Sequence, residues 1–345
     1  MFAIAKLRPE LGIDVIEAPE PAIRPGHVKL RVKSGSVCGT DLHIYHWDAF
    51  SQGRIKPPRI IGHEFCGEII EVGEGVPGSR IGEFVSSESH IVCGTCRQCL
   101  SGQAHVCVNT RLLGIDVDGG FGGFAVIPTE NARVTPRVVP EGVASMLDAL
   151  GNAVHTVMAG PIENGTILIT GMGPIGLFAV AICKALGAHK VIVTEVRQYR
   201  KELAEQLGAD VILDPTQHDV AAELRALAPQ GVDATLEMSG HPSALPLAIT
   251  HTRPGGRISL LGLYQEAQQT IELNTLIMKG IDLQGIVGRR LPETWDQMIW
   301  LLVEKKLDVT PVVTHRVSFR DVQSAMETLE KGEAGKIVLD FSDAG

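Results

Sequence analysis

Four cysteines in one short segment could hold a metal ion. They have the spacing Cys-x2-Cys-x2-Cys-x7-Cys, and they are Cys93, Cys96, Cys99 and Cys107. Four thiolates can close a tetrahedral cage around Zn²⁺ and leave no position open for a substrate. We therefore predict a structural zinc site. The alternatives are a redox cysteine pair, a chance cluster without a metal, and an iron–sulfur cluster. The last is the most serious alternative because thiolates also suit iron.

A second group of possible metal ligands is spread over two loops. Cys38 opens the stretch Cys-Gly-Thr-Asp-Leu-His, and His63 and Glu64 follow a glycine. A thiolate, an imidazole and a carboxylate would leave the fourth position of a tetrahedral Zn²⁺ open, as catalytic sites require. The spacing alone leaves another interpretation open, in which Cys38 and His63 are buried structural residues and Glu64 lies on the surface.

A glycine-rich turn could bind a dinucleotide. Gly171, Gly173 and Gly176 form a Gly-x-Gly-x-x-Gly pattern between an apolar run and a helix-length segment. In that context the glycines permit a tight turn and close approach of the backbone to a pyrophosphate. The helix N-terminus then supplies free N–H groups and the positive end of its dipole.

The carboxylate of Glu195, at the end of the next predicted strand, indicates which cofactor the protein uses. A carboxylate at this place can accept hydrogen bonds from the adenosine ribose and would repel a 2′-phosphate. We therefore predict NAD rather than NADP. Arg197 and Arg200 lie close by, and an arginine there can serve either cofactor.

Length and composition indicate a globular protein of two domains with a small-molecule substrate. A chain of 345 residues exceeds the size of most single cores, and 44% hydrophobic residues exclude a disordered chain. The net charge of −9, without a block of like charges, disfavours nucleic acid and membrane surfaces. We expect a cytoplasmic protein, because the N-terminus does not resemble a signal peptide and clustered cysteines suit a reducing compartment.

The predicted secondary structure divides the chain in two. Residues 1–150 contain short β-branched runs with little helical periodicity, which predicts an irregular, mostly β domain. Residues 151–289 alternate strands, such as those predicted at 166–170 and 190–194, with helix-length segments, such as 174–186. This is the pattern of a doubly wound parallel sheet. A helix, a strand, a helix and a last strand are expected in residues 290–345, which we predict to return to the first domain.

The order of these motifs along the chain resembles that of the zinc-dependent medium-chain alcohol and polyol dehydrogenases. The resemblance implies an α/β protein with a GroES-like, mostly β catalytic domain at residues 1–150 and 290–345, which carries the structural zinc lobe. It implies a Rossmann domain for NAD at residues 151–289. It also implies one catalytic and one structural Zn²⁺ per chain, and a homotetramer.

The resemblance further implies roles for individual residues. Catalytic zinc would be bound by Cys38, His63 and Glu64, and a proton relay would use Thr40 and His43. Asp148 takes the place of an acidic residue that assists catalysis near the metal, and His90 falls near the substrate pocket. The cofactor contacts, besides the three glycines, would be Ile175, Glu195, Arg200, Leu261, Gly262, Leu263, Ile286 and Val287.

Three stretches, at residues 38–48, 88–93 and 151–156, resemble the branch of this family that oxidises L-threonine at its 3-hydroxyl with NAD. The expected product is L-2-amino-3-oxobutanoate. Three stretches depart from the pattern, Glu83-Phe84, Gly122-Gly123-Phe124 and Ala149-Leu150. The alternatives are another secondary alcohol or polyol, such as 2,3-butanediol or sorbitol, and, in a different class, a non-catalytic dinucleotide-binding or zinc-lobe interaction protein.

Overall fold

The computed structural model describes residues 1–345, which form 18 strands and 12 α-helices. The strands are β1 (Phe2–Lys6), β2 (Asp14–Glu17), β3 (His27–Val37), β4 (Arg59–Ile60), β5 (Phe65–Val72), β6 (Phe84–Ser87), β7 (His90–Ile91), β8 (Arg111–Leu112), β9 (Phe124–Pro128), β10 (Ala132–Val134), β11 (Thr166–Thr170), β12 (Lys190–Thr194), β13 (Val211–Leu213), β14 (Val232–Glu237), β15 (Thr252–Leu260), β16 (Asp282–Gly285), β17 (Val313–Ser318) and β18 (Lys336–Asp340). The helices are α1 (Gly39–His46), α2 (Ala49–Arg54), α3 (Arg97–Leu100), α4 (Glu141–Ala144), α5 (Leu147–Met158), α6 (Pro174–Ala185), α7 (Gln198–Gln206), α8 (Val220–Leu227), α9 (Ala244–His251), α10 (Leu273–Lys279), α11 (Glu293–Val303) and α12 (Val322–Lys331).

These elements form two units. Unit 1 consists of Met1–Ala149, Arg290–Trp295 and Val313–Gly345. Unit 2 consists of Leu150–Arg289 and Asp296–Val312. No helix is both long enough and apolar enough to cross a membrane.

Unit 1 is built around the long strand β3. In its seven-stranded sheet the order is β10-β6-β5-β3-β18-β17, and β9 also pairs with β3. Strand β18 runs antiparallel to β3, so Val338 lies opposite Ser36 although the two are far apart in sequence. Leu30 and Phe65 are fully buried in the core beneath this sheet. The sheet therefore brings β3, β5 and β18, which are distant in sequence, together in register next to Cys38.

Unit 2 is a parallel sheet of six strands in the order β13-β12-β11-β14-β15-β16. The order reverses at β11, and ligands of such sheets bind beyond the carboxyl ends of the strands at the reversal. Residues 167–169 and 191–193 are completely buried, because both faces of a parallel sheet are covered. The predicted α/β fold is confirmed.

The prediction of a mostly β domain before residue 150 is confirmed, but the sequence did not indicate the short helices within it. Helices α1, α2 and α4 lie there, and α5 begins at Leu147. Helix α1 has only eight residues and a cysteine at its N-cap, so neither its length nor its cap matches the usual helix signal. In α5 the buried positions Leu147, Leu150, Val154 and Val157 do follow a helical period, but Gly151 and Asn152 between them are poor helix formers.

Candidate functional site

Cys38 occupies the N-cap of α1. Its Sγ accepts a hydrogen bond from the Thr40 N–H at 3.3 Å, and Asp41 Oδ2 accepts one from the Cys38 N–H at 2.9 Å. This is a capping box with cysteine in place of serine or threonine. The local fold thus presents the Cys38 sulfur at a helix N-terminus, which favours negative charge.

His63 and Glu64 follow a turn that only glycine can form. Gly62 has φ +93°, and a Cβ there would lie 2.1 Å from the ring of Phe121. The turn brings His63 Nε2 to 3.1 Å from Cys38 Sγ and 3.9 Å from Glu64 Oε1. The ligand atoms of all three residues lie within 4.8 Å of one another. The structure thus brings together the three residues that were predicted to bind catalytic zinc.

Two buried polar atoms beside this cluster test whether it fits a metal. His63 Nδ1 and Asp41 Oδ1 have no hydrogen-bond partner and lie 4.0 Å apart. A histidine that binds zinc through Nε2 carries its proton on Nδ1, which commonly faces a carboxylate. Burial opposes a charge on His63, but Cys38, Asp41 and Glu64 together raise the pKa of His63 well above its ordinary value. Such anionic surroundings fit Zn²⁺.

Glu64 is held by two residues that the sequence did not indicate. Ser36 Oγ donates to Glu64 Oε2, and Lys336 Nζ lies 2.5 Å from the same oxygen. Burial opposes the charge of Lys336, but Glu64 and Cys38 raise its pKa. Both residues reach the site through the β3–β18 pairing, so no local motif could have revealed them. Asp41 could have been found, since it stands three residues after an N-cap.

The four-cysteine segment forms a second, separate cluster. The Sγ–Sγ distances are 3.5 Å for Cys96 and Cys99, 3.8 Å for Cys96 and Cys107, and 3.5 Å for Cys93 and Cys107. With Zn–S bonds of about 2.3 Å, the edges of a tetrahedral site measure about 3.8 Å. All four thiols are free. The spacing of the sulfurs therefore fits a closed Zn²⁺ site.

Backbone amides point at these sulfurs. The N–H of Cys96 donates to Cys93 Sγ at 3.3 Å, and the N–H of Asn109 donates to Cys107 Sγ at 3.4 Å. The N–H groups of Thr95 and Cys96 lower the pKa of Cys93 to about 5, whereas burial and the neighbouring thiols raise that of Cys99 to about 12. Four adjacent thiols cannot all ionise without a cation, which again fits a metal.

The two predicted relay residues lie on α1, one turn apart. Thr40 is half-buried, whereas the His43 side chain is 57% exposed and its Nδ1 lies 2.5 Å from Asp48 Oδ2. Asp48 is also the N-cap of α2 and accepts the Ser51 N–H at 3.2 Å. Residues three apart share a helix face, so the pair extends from the Cys38 end of α1 towards solvent.

Asp148 and His90 are placed by neighbouring segments of unit 1. Asp148 is buried in the first turn of α5, and its Oδ1 accepts the Ser89 N–H at 3.3 Å. His90, the next residue, begins β7. The structure therefore connects the segment that carries His90 to the carboxylate of Asp148.

Gly123, which departs from the family's sequence pattern, has a structural explanation within unit 1. A Cβ at Gly123 would lie 2.5 Å from the carbonyl oxygen of Ala344, so the C-terminal segment requires glycine at this position. The Gly123 N–H also donates to Phe2 O at 3.1 Å. Ala149 and Leu150 are buried in α5.

In unit 2 the glycine-rich turn connects β11 to α6. Gly171 has φ +81°, and a Cβ on Gly176 would lie 2.0 Å from Gly171 O. A Cβ on Gly173, by contrast, would meet nothing within 4 Å. Gly173 is the N-cap of α6 and provides no side-chain cap, so the first N–H groups of the helix have no side-chain acceptor there. Open space beside these amides fits a pyrophosphate.

Glu195 stands at the end of β12 and binds this turn. Its Oε2 accepts the Met172 N–H at 2.9 Å, and its Oε1 accepts the N–H groups of Val196 and Arg197. Arg200 Nη1 lies 4.0 Å from Glu195 Oε2, and Arg200 Nε is buried without a hydrogen-bond partner. The Glu195 carboxylate therefore fixes the glycine-rich turn. It is also the group that was predicted to accept hydrogen bonds from the adenosine ribose.

The other predicted cofactor residues follow neighbouring strands. Leu261, Gly262 and Leu263 follow β15, Ile286 and Val287 follow β16, and Ile175 lies in the first turn of α6. A buried carboxylate that the sequence did not indicate, Glu237, connects these loops. It accepts hydrogen bonds from Thr170 Oγ1, the N–H groups of Ser239 and Gly240, and the hydroxyl of Tyr264.

Parts of both units match models of known protein families. Residues 24–137 match the family model of the alcohol dehydrogenase GroES-like domain, and residues 174–304 match that of the zinc-binding dehydrogenases. A curated relative from Pyrococcus horikoshii, named L-threonine 3-dehydrogenase, is 46% identical over 342 residues, which cover 98% of each chain.

Solved structures of dehydrogenases have the same fold. An alcohol dehydrogenase from Escherichia coli complexed with NADH has a TM-score of 0.89 and 31% identity, with 99% of each chain covered. The 2R,3R-butanediol dehydrogenase of Bacillus subtilis has a TM-score of 0.87 and 27% identity, with 98% of this chain and 99% of that one covered. The chain belongs to the zinc-binding alcohol dehydrogenase family.

Proposed function

We propose that this dehydrogenase oxidises L-threonine at its 3-hydroxyl to L-2-amino-3-oxobutanoate and transfers the hydride to NAD. The observation that carries the proposal is the cluster of Cys38, His63 and Glu64, in a chain 46% identical to a relative named for this activity. The second candidate is a secondary diol. It is favoured by the butanediol dehydrogenase of known structure, although the identity to that protein is only 27%.

Each unit has a separate task in this reaction. Cys38, His63 and Glu64 hold the catalytic Zn²⁺, which when bound supplies a Lewis acid that lowers the pKa of the substrate hydroxyl. Lys336 and Ser36 fix the Glu64 carboxylate. In unit 2 the turn at residues 171–176 holds NAD, which supplies the hydride acceptor. The four-cysteine lobe holds a second, structural Zn²⁺.

A proton must leave the substrate hydroxyl during the oxidation. Thr40 accepts it near the metal ligands while its own hydroxyl proton is passed on towards His43, and His43 releases a proton to water. His43 suits this task because its side chain is 57% exposed and its Nδ1 is held by Asp48, which fixes the orientation of the ring. Asp148 places a negative charge on the segment next to His90 and shapes the polar part of the substrate pocket.

Initial rates with NAD distinguish the two candidate substrates. We expect L-threonine to exceed 2,3-butanediol and sorbitol in kcat/KM by about a hundredfold, because a site built to pair substrate charges discriminates against a compound that lacks them. His90→Ala should reduce kcat/KM for L-threonine more than for the diol. A higher kcat/KM for a diol or polyol in the unmodified protein would overturn the choice of substrate but leave the reaction class intact.

The preference for NAD is a further part of the proposal. It is supported by the buried Glu195 carboxylate at the end of β12 and by the NADH complex of the related alcohol dehydrogenase. We expect Glu195→Gln to raise KM for NAD about tenfold and to narrow the preference over NADP, because a neutral amide no longer repels a 2′-phosphate. Equal kcat/KM for both cofactors in the unmodified protein would instead indicate that Arg197 or Arg200 determines the choice.

We also propose a cytoplasmic homotetramer. Strand β16 is an edge of the sheet in unit 2, and α10 nearby exposes Leu273, Ile277 and Met278. An unpaired edge next to exposed apolar side chains suits pairing with a second copy. The seven free thiols fit a reducing compartment. Light scattering should give four chain masses, and a stable monomer would contradict the proposal.

A further inference from the structure

Glu88 is a buried carboxylate that the proposed mechanism does not use. Its side chain is only 3% exposed, and it lies in unit 1 two residues before His90. Burying a carboxylate costs free energy unless hydrogen-bond donors surround it. The donors around a buried glutamate therefore show which groups it serves as an acceptor. Its partners therefore indicate its role.

The donors that reach Glu88 include one ring nitrogen of His90. The His90 N–H donates to Glu88 Oε1 at 2.8 Å, and His90 Nδ1 lies 3.2 Å from the same oxygen. The indole Nε1–H of Trp295 donates to Oε2 at 2.7 Å. Both carboxylate oxygens thus accept from N–H groups whose hydrogens are fixed, so this pattern assigns the proton of the His90 ring to Nδ1.

The backbone around Glu88 is fixed independently of its side chain. Asn131 Nδ2 donates to Glu88 O at 2.7 Å and to His90 O at 3.0 Å, and the Glu88 N–H donates to Asn131 O at 2.8 Å. These bonds hold the start of β7 in place whatever side chain residue 88 carries. The carboxylate then acts on the imidazole ring of His90, and the buried Trp295 fixes the carboxylate in turn.

We propose that Glu88 is a positioning residue that sets the tautomer and orientation of the His90 ring and thereby the selectivity for an amino-acid substrate over a simple diol. The inference rests on the proposed function, in which His90 borders the substrate pocket. With the proton on Nδ1, Nε2 of the neutral ring is the acceptor nitrogen, which complements the ammonium group of L-threonine. A diol has no such charged donor.

The test is a double-mutant cycle of E88Q and H90A with L-threonine and 2,3-butanediol. Glutamine keeps the shape of Glu88 but replaces one acceptor oxygen with a donor, so it cannot accept from both His90 and Trp295. We expect E88Q to lower kcat/KM for L-threonine about tenfold, mainly through KM, since losing a residue that orients a site histidine typically costs about 10- to 100-fold. Its effect on the diol should stay below about twofold. In the H90A background the E88Q effect on L-threonine should also fall below about twofold, because the two residues act as one unit.

Two controls separate positioning from general stability. E88Q should keep the zinc content of the unmodified protein, and its melting temperature should fall by only a few degrees, since one buried donor loses its acceptor. W295F removes one donor from Glu88 and leaves both His90 contacts, so it should lower kcat/KM for L-threonine less than E88Q does. An equal loss on both substrates, or a tenfold effect of E88Q that persists in the H90A background, would overturn the proposal.

Ring ¹⁵N chemical shifts of the unmodified protein test the same inference even where E88Q does not fold. The His90 signal is assigned by its absence in H90A, and the neutral ring should carry its proton on Nδ1; a proton on Nε2 would overturn the proposal. If the proposed function is wrong, the unmodified protein will instead have a higher kcat/KM for the diol than for L-threonine. In that case the ring ¹⁵N shifts still decide whether Glu88 sets the tautomer of His90.

Discussion

Replacing Cys38 with alanine is expected to lower kcat at least about a thousandfold while NADH still binds. Polarisation of a substrate oxygen by a bound metal is worth several kcal/mol, and each 1.36 kcal/mol corresponds to a factor of about ten in rate. The binding of NADH should persist because the glycine turn, Glu195 and Arg200 all belong to unit 2, whereas Cys38 belongs to unit 1. NADH fluorescence, metal analysis and initial rates measure the three quantities.

Cys66 provides the matched control for this substitution. It is a buried cysteine of unit 1 that belongs to neither cluster, and its Sγ donates to Glu141 O at 3.3 Å. Cys66→Ala should therefore keep two zinc ions and most of the activity, with a modest loss of stability. The assignment of Cys38 would be wrong if C38A kept two zinc ions per chain or more than a tenth of the unmodified activity.

The sequence predicts unit 2 well because buried parallel strands are continuous apolar runs between polar turns. The predicted strands Thr166–Thr170 and Lys190–Thr194 agree with β11 and β12 residue by residue, and the predicted helix from Pro174 ends one residue later than α6. In these strands the apolar run that is visible in the sequence is also what burial on both faces of the sheet requires.

Unit 1 is less predictable because its contacts are between distant residues. The motifs around Cys38 and His63 indicated the ligand cluster, but the partners of Glu64 come from β3 and from β18, 272 residues away in the case of Lys336. The bond between Glu88 and Trp295 spans 207 residues. A single sequence contains no local signal for such pairs, since they depend on how the strands of unit 1 pair and on where residues 290–295 return to it.

The lobe that follows β7 depends on its thiols rather than on an apolar core. Leu100 and Val108 are 76% and 67% exposed, and α3 has only four residues, none of them buried. With so little apolar surface buried, the free energy that orders this segment must come mainly from ligand bonds to a metal. Arg97 is exposed on α3 and offers a cleavage site for trypsin that is accessible once the lobe opens.

We therefore expect Cys99→Ser to reduce the zinc content from two ions per chain to one and to lower the melting temperature by about 10 °C. Losing structural zinc removes folding free energy, and in a domain of about 150–250 residues each kcal/mol shifts the melting temperature by about 2–4 °C. Trypsin should cleave C99S after Arg97 faster than it cleaves the unmodified protein.

Cys38→Ala is the reciprocal control, because it should also lose one zinc ion yet keep the lobe intact. Its melting temperature should fall much less than that of C99S, and its cleavage after Arg97 should stay slow. Equal melting temperatures and cleavage rates for the two variants would contradict a structural role for the four-cysteine site. Substantial iron with visible absorbance in the unmodified protein would identify the iron–sulfur alternative instead, since clusters ligated by the same four thiolates absorb visible light and closed-shell Zn²⁺ does not.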